Sequence, residues 1–154
     1  MAAPVPTNPI TTALERGSAQ FAQAWRIWRR QWTQPQLLRI SDTYLGARFF
    51  HSSQMSGFET RQLQNPAPKA FLAIGYLNLA LGRSLNDGSQ LEQVPDIGLP
   101  QRLPDVLADL WRGREPLRSA DRVVLGPSGL FMAFSGLLEL PSSEGRILAP
   151  EQAE

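Results

Sequence analysis

The sequence contains no cysteine among its 154 residues, and only one histidine and one lysine. The absence of cysteine excludes disulfide frameworks and thiolate metal sites, and argues against a small secreted disulfide scaffold. A single histidine, His51, excludes the HExxH arrangement and metal sites built from several imidazoles. Lys69, the single lysine, lies outside any GxxxxGK[ST] loop. These absences remove the commonest signatures of metalloenzymes and P-loop proteins.

No nucleophile motif is complete either. The segment GPSG at 126–129 is one residue short of the GxSxG nucleophile elbow, and only a weak strand is predicted before it. The carboxylates are scattered along the chain, without a pair on an obvious rigid element. We therefore expect no enzymatic activity, no cofactor and no bound metal.

Long apolar runs are also missing. The longest, AFLAIGYLNLAL at 70–81, contains Asn78 and is shorter than the roughly 20 residues that a membrane-spanning helix needs. The opening segment 1–17 has neither a basic start nor a continuous apolar stretch, so it does not resemble a signal peptide. We expect a cytoplasmic protein with no membrane contact.

Charge is unevenly distributed, although the formal net charge is only +1. Residues 1–70 contain eight Lys or Arg against three acids, whereas the remainder contains seven Arg against eleven acids. The two parts therefore carry +5 and −4, which sum to the net charge. This asymmetry predicts a basic working surface in the first part and an acidic second part.

Apolar spacing predicts several helices. After Ser18 as N-cap, Phe21 and three tryptophans recur every three or four residues, the stripe of an amphipathic helix. A second helix is predicted from Pro35 to about Leu45, with Gly46 as its C-terminal stop, and a short polar helix from Ser52. An apolar helix follows over 67–81 and ends at Gly82.

The remaining segments complete a mostly α fold, a helical bundle with a small helical C-terminal module. Helical spacing recurs within the module, and RVVL at 122–125 is either one short strand or an extended link. The predicted organisation has five parts: a flexible arm at 1–17, a helical domain at 18–82, a linker or loop at 83–102, the C-terminal module at 103–140 and a flexible acidic tail at 141–154. An equally weighted alternative packs the module into the core of one domain.

A more specific pattern covers residues of about 20–81. The segments LLRISDTYLG, ARFFH, SSQMSGFE, NPAP and KAFLAIGYLNLAL follow one another as helix, turn, polar helix, Asn-Pro loop and apolar helix. With AQFAQAWRIWRRQW as a first helix, this order resembles the phage-repressor or Cro-like (XRE-like) helix-turn-helix family. The resemblance implies a helix-turn-helix within the bundle and double-stranded DNA as the ligand.

The resemblance also implies roles for individual residues. Those facing base edges are Ser52, Ser53, Gln54 and Gly57. Those contacting phosphates, which position a protein without reading sequence, are Arg48, His51, Arg61 and Lys69. Those with structural roles are Met55 and Phe58, facing inward, and Glu59, paired with an arginine of the first helix. Simpler roles stay open: Ser52 can be a helix cap, His51 a solvated turn residue and Gln54 a side chain facing water.

Two functions follow as expectations. The first is a sequence-preferring DNA-binding protein, a small transcriptional regulator that reads the major groove with the helix beginning near Ser52. Such regulators usually dimerise, so that two recognition helices meet successive major grooves roughly 34 Å apart. The second is a protein–protein interaction adaptor that keeps the fold without reading DNA. Dimer contacts are expected through 103–140 or through the apolar helix 67–81.

Overall fold

The structure, a computed structural model, describes residues 8–46 and 68–141. These ranges are mostly helical, as predicted. The helices are α1 (Pro9–Arg29), α2 (Gln34–Leu45), α3 (Pro68–Leu85), α4 (Ala108–Trp111), which follows a 3-10 turn at Asp105–Leu107, and α5 (Pro127–Phe134). The polar helix predicted from Ser52 lies outside the described residues. Within them, no helix is long and apolar enough to cross a membrane.

Helix α1 begins well before Ser18, the predicted N-cap. The side-chain oxygen of Asn8 accepts hydrogen bonds from the amides of Ile10, at 2.8 Å, and Thr11, at 3.4 Å. Pro9 then occupies the first turn, where its missing N–H costs nothing. Residues 9–17 are therefore helical, whereas their Pro/Thr-rich composition predicted part of a flexible arm. Ser18 lies inside the helix and its hydroxyl donates to the carbonyl of Glu15.

Helix α2 has the ends that its sequence predicts. Thr33 and Gln36 form a capping box: Thr33 Oγ1 accepts from the Gln36 amide at 3.3 Å, and Gln36 Oε1 accepts from the Thr33 amide at 2.9 Å. Gly46, with a φ of 71°, ends the helix in the left-handed conformation. The predicted bounds of this helix are confirmed.

Helix α3 is the central element and is buried on nearly all sides. It continues through Gly82, the predicted end, to Leu85. The side chain of Val124 packs against Gly82, where an added Cβ would lie 3.0 Å from Val124 Cγ1. The rest of the chain therefore covers most of the apolar surface of α3, while Leu72 stays 47% exposed.

Helix α5 lies between α1 and α3 and touches both through glycines. A Cβ added at Gly17 of α1 would lie 2.2 Å from the backbone nitrogen of Gly136, just after α5. A Cβ added at Gly75 of α3 would lie 2.3 Å from the backbone nitrogen of Pro127. Residues from 103–140 thus share one hydrophobic core with α1 to α3. This arrangement corresponds to the predicted alternative in which these residues close the core of one domain.

Segment 83–102 was predicted as a linker or loop, but residues 83–85 form the last turn of α3. The rest of the segment, 86–102, has no helix but is fastened to the core. The hydroxyl of Tyr44 donates to the carbonyl of Pro100 at 2.9 Å, and that of Tyr76 donates to the carbonyl of Pro95 at 2.6 Å. Val124 forms isolated bridges with Leu91 and Arg118, so RVVL is an extended link. Tyrosines and backbone bonds therefore hold this segment against α2 and α3.

Tyr44 makes stability sensitive to alkaline pH. Burial, partly offset by the nearby Arg83 guanidinium, raises its pKa from 10.0 to about 12. The protonated phenol therefore contributes stability that is complete below pH 10 and lost as the pH rises to about 12. We expect the urea midpoint of the wild type to fall over this interval more steeply than that of Tyr44→Phe, which cannot ionise there. Parallel curves would contradict this role.

Asn78 is the polar residue inside the apolar run of α3, and it is fully buried. Its Nδ2 donates to the carbonyls of Leu117, at 2.9 Å, and Leu125, at 2.8 Å, while its Oδ1 accepts from the Leu117 amide at 2.7 Å. This one side chain therefore bonds to three backbone groups of the extended segments before α5. Asn78 thus fixes those segments on the central helix.

Candidate functional site

Most of the predicted DNA-contacting and structural residues lie outside the described ranges. They are Arg48, His51, Ser52, Ser53, Gln54, Met55, Gly57, Phe58, Glu59 and Arg61. Lys69 is described and lies exposed in the first turn of α3. Helices α1, α2 and α3 occur in the order that the resemblance implies, on either side of the undescribed residues 47–67.

The turn between α1 and α2 is bound to segment 109–115. The indole nitrogen of Trp32 donates to the carbonyl of Leu110 at 2.5 Å. Gln31 makes two bonds to Glu115: its Nε2 donates to the backbone carbonyl at 2.8 Å, and its Oε1 accepts from the amide at 2.6 Å. Two segments distant in sequence therefore form one surface around the buried ring of Trp32.

Four arginines lie on or beside this surface, and we call them the Trp32 arginine cluster: Arg30, Arg39, Arg112 and Arg114. Arg30 caps the end of α1, with its side chain exposed. The guanidinium carbon of Arg114 lies 6.0 Å from the centre of the Trp32 ring, and that of Arg112 lies 5.8 Å from the Trp111 ring. Cation–π contacts of this kind hold a guanidinium while leaving its N–H groups available.

The acids beside the cluster neutralise it only in part. Arg39 pairs with Asp109 at 3.9 Å, but both side chains are more than half exposed, so water screens the pair. The other nearby acid, Glu115, pairs with Arg118 at 3.6 Å. Arg30 and Arg112 have no carboxylate within 4.0 Å among the residues that the structure describes. This surface can therefore accept an external anion.

An exposed apolar patch lies at the other end of α1, around α5. Its large side chains are 39% to 71% exposed: Ile10, Leu14, Leu72, Phe131, Met132 and Leu137. Gly136, just after α5, packs closely against the backbone of Ala13 in α1, which brings the exposed side chains of these two helices together. The Leu137 amide donates to the Met132 carbonyl at 2.8 Å. On the α3 side, the rings of Phe71 and Phe131 are 5.6 Å apart. Such clustering is unusual for a surface without a partner.

Segment 126–129, GPSG, has a structural role. Glu92 Oε1 accepts from the amides of Gly126 and Gly129, both at 2.8 Å, and Oε2 accepts from the amide of Ser128 at 3.1 Å. A carboxylate at the N-terminus of α5 also interacts favourably with the helix dipole. The resemblance to a nucleophile elbow reflects a glycine-rich cradle for this carboxylate, since an added Cβ at Gly129 would lie 2.6 Å from Glu92 Oε1.

We expect Glu92→Gln to lower the free energy of unfolding by about 1–2 kcal/mol, because the amide loses the charge and turns one acceptor into a donor. Urea unfolding followed by circular dichroism measures this change. Glu139→Gln, which alters an exposed carboxylate, is the matched control and should change stability by less than about 0.5 kcal/mol. Equal effects of the two variants would contradict the capping role.

Sequence reasoning missed Glu92 and the cluster residues Arg112 and Arg114. Glu92 lies in a segment whose turn-forming residues predicted a linker, and its partners are 34 to 37 residues away. The two arginines were assigned to an acidic part of the chain. Arg114 approaches Trp32 only on folding, whereas Arg112 lies over its sequence neighbour Trp111. The alternation of Trp and Arg in LWRGR is a local signal for this second contact.

Among the residues that the structure describes, no group of three or more His, Cys, Asp or Glu could hold a metal ion. The model of a family described as a domain of unknown function, DUF8644, matches residues 11–136. No curated protein and no solved structure matches the chain.

Proposed function

The chain belongs to the DUF8644 family, and we propose that it is a sequence-preferring DNA-binding protein, a small transcriptional regulator without enzymatic activity. The observation that carries the proposal is the Trp32 arginine cluster, in which Arg30 and Arg112 present cations without carboxylate partners among the described residues. Guanidinium groups bind phosphate oxygens bidentately, and phosphate contacts fix a protein on a duplex.

The order of the helices supports the same proposal. The resemblance to Cro-like proteins requires helices before and after the recognition helix, and α1, α2 and α3 occur at those positions. The buried tryptophan stripe of α1 and the central α3 form a rigid scaffold. In the proposed complex, Ser52, Ser53, Gln54 and Gly57 face base edges, while Arg48, His51, Arg61 and Lys69 add phosphate contacts to those of the cluster.

Fluorescence anisotropy on random double-stranded DNA across a salt series tests this function. We expect the logarithm of the association constant to fall linearly with the logarithm of salt concentration, because phosphate contacts release counterions. Two variants, Arg30→Ala/Arg112→Ala and Arg48→Ala/Arg61→Ala/Lys69→Ala, should bind more weakly and show a shallower slope. Each lost phosphate contact should reduce the slope by about one.

The matched control is Arg122→Gly. Arg122 is exposed and has a φ of 70°, so glycine removes one positive charge from a backbone that already suits it. This control should reproduce the wild-type slope. Absence of binding at low salt, or an equal loss of affinity in Arg122→Gly, would contradict DNA binding through the cluster.

The second proposed function is a protein-interaction adaptor, and the apolar patch around α5 favours it. The occupant we propose is a second copy of the chain, since α5 lies within residues 103–140 and its outer side exposes Phe131 and Met132. Light scattering after size exclusion should then give a dimer that Phe131→Asp dissociates. Val106→Asp, at an apolar side chain exposed outside the patch, should leave it intact. A wild-type monomer at every concentration would contradict this function.

A further inference from the structure

Two adjoining hollows lie at the C-terminal end of α3 and share Arg102. The first, about 380 Å³, is lined by Ser84, Arg102, Asp105 and Trp111 among others, and the second, about 300 Å³, extends past Arg83. Together they form what we call the Arg102 groove. Hollows of a few hundred cubic ångströms match the size of small-molecule sites.

The two arginines of the groove hold each other in place through backbone carbonyls. Arg102 Nη2 donates to the carbonyl of Arg83 at 3.1 Å, and Arg83 Nη1 donates to the carbonyl of Gln101 at 3.3 Å. A guanidinium has five N–H donors, so most of them stay available on each side chain. Neither arginine pairs with a carboxylate of residues 8–46 or 68–141.

The walls of the groove are fixed by short hydrogen bonds. The Leu103 amide donates to Ser84 Oγ at 2.7 Å, and the same hydroxyl donates to the carbonyl of Ala80 at 2.7 Å. The indole nitrogen of Trp111 donates to the carbonyl of Pro104 at 3.0 Å. Because both walls are bonded to helices, the arginines are positioned before any ligand arrives, which lowers the entropy cost of binding.

The two acidic residues of the groove differ in whether their charge is already paired. Asp87, in the second hollow, accepts from Arg118 Nη2 at 3.2 Å and from the Ser89 amide at 3.0 Å, so its charge is already paired. Asp105, in the first hollow, is exposed and has no ion-pair partner among the described residues. A ligand that fits must present an anion to the arginines and a hydrogen-bond donor to Asp105.

We infer that the Arg102 groove binds a small phosphorylated molecule that carries hydroxyl groups, such as a sugar phosphate. Its phosphate lies between Arg83 and Arg102, which bind phosphate oxygens through charge-assisted hydrogen bonds. Its hydroxyl groups donate to the carboxylate of Asp105. This site is separate from the proposed DNA contacts and does not depend on them.

Isothermal titration calorimetry with three probes tests the inference: ribose 5-phosphate, inorganic phosphate and ribose. We expect ribose 5-phosphate to bind most tightly and ribose alone not to bind. Arg83→Gln/Arg102→Gln should weaken ribose 5-phosphate about tenfold or more, which corresponds to the loss of charge-assisted hydrogen bonds. Asp105→Asn should weaken ribose 5-phosphate while leaving or improving the binding of inorganic phosphate.

Controls distinguish binding in the groove from a general effect of lost charge or lost stability. Arg122→Gly removes one positive charge elsewhere and should bind ribose 5-phosphate as the wild type does. Thermal melts establish that each variant is folded, and Asp105→Asn tests the site even where the arginine variant is unstable.

Absence of ribose 5-phosphate binding at millimolar concentration, or unchanged binding in both groove variants, would overturn the inference. Weaker duplex DNA binding by Arg83→Gln/Arg102→Gln would assign these arginines to the DNA backbone instead, and would also overturn it.

Discussion

Replacing Gly17 with alanine should lower the free energy of unfolding by at least about 3 kcal/mol, or prevent folding. The added Cβ would lie 2.2 Å from the backbone nitrogen of Gly136 and 2.3 Å from the carbonyl oxygen of Phe134. Both atoms belong to the backbone at the end of α5, so no side-chain rotation relieves the overlap. Relieving the overlap requires α5 to move away from α1, which exposes core aromatics such as Phe21 and Phe134.

The matched control for this prediction is Gly46→Ala. Gly46 has a φ of 71° and no atom within 4 Å of an added Cβ, so alanine there incurs only the strain of the left-handed backbone, about 1 kcal/mol. Chemical denaturation followed by tryptophan fluorescence measures both variants, because Trp25 and Trp28 are buried on α1 itself. A Gly17→Ala variant as stable as Gly46→Ala would show that α5 does not pack closely on α1.

The second large effect is expected for Asn78→Leu, which should lower the free energy of unfolding by about 3–5 kcal/mol. Leucine has a similar size, but it leaves the Leu117 amide and the Leu125 carbonyl without their partner. The Leu117 carbonyl loses its bond from Asn78 and keeps the one from the Leu125 amide, at 3.0 Å. Each buried backbone group that loses its hydrogen bond costs about 1–3 kcal/mol. Denaturant unfolding of the variant measures the total.

Asn78→Asp separates hydrogen bonding from packing. The ionised carboxylate would face the two carbonyls that now accept from Nδ2, whereas the protonated acid could donate to one of them. Burial beside these carbonyls should raise the pKa of the new carboxyl in the folded state. The variant should therefore recover part of its stability as the pH is lowered through this raised pKa towards the unfolded-state value of about 4. Ser41→Ala is the control: Ser41 is also fully buried, but it donates only to Leu38 of its own helix, so its loss should cost less than about 1 kcal/mol. Similar losses for Asn78→Leu and Ser41→Ala would contradict the bridging role of Asn78.

Elements encoded by near neighbours were predictable from the sequence. The capping box of Thr33 and Gln36 and the stop at Gly46 define α2 within a few residues, and the aromatic spacing of α1 predicts its buried side. The early start of α1 was also encoded locally, in Asn8 and Pro9. The Pro/Thr-rich composition of residues 1–17 instead predicts a flexible arm, because composition does not register a single capping residue.

Features that depend on distant partners could not be predicted. An asparagine in an apolar run does not disclose that it binds segments 39 and 47 residues away. Glycine lowers the helix propensity at positions 17 and 75, yet at each position another backbone segment packs closely against the helix. For the candidate site, the sequence indicated basic residues in the first part of the chain. Only folding brings Arg114 to Trp32, whose ring holds its guanidinium.

The position of α5 between α1 and α3 has a consequence for synthesis on the ribosome. Gln20, on α1, donates to the carbonyls of Ala133 and Leu138 and accepts from the amide of Leu140, across separations of 113 to 120 residues. Helix α1 therefore emerges first but cannot bury its glycine-bearing side until residues near 140 have left the exit tunnel. Folding that closes through such long loops is slow, and it leaves apolar surface exposed in the nascent chain. We expect nascent chains that end before residue 127 to bind chaperones, and this association to decline once α5 has emerged.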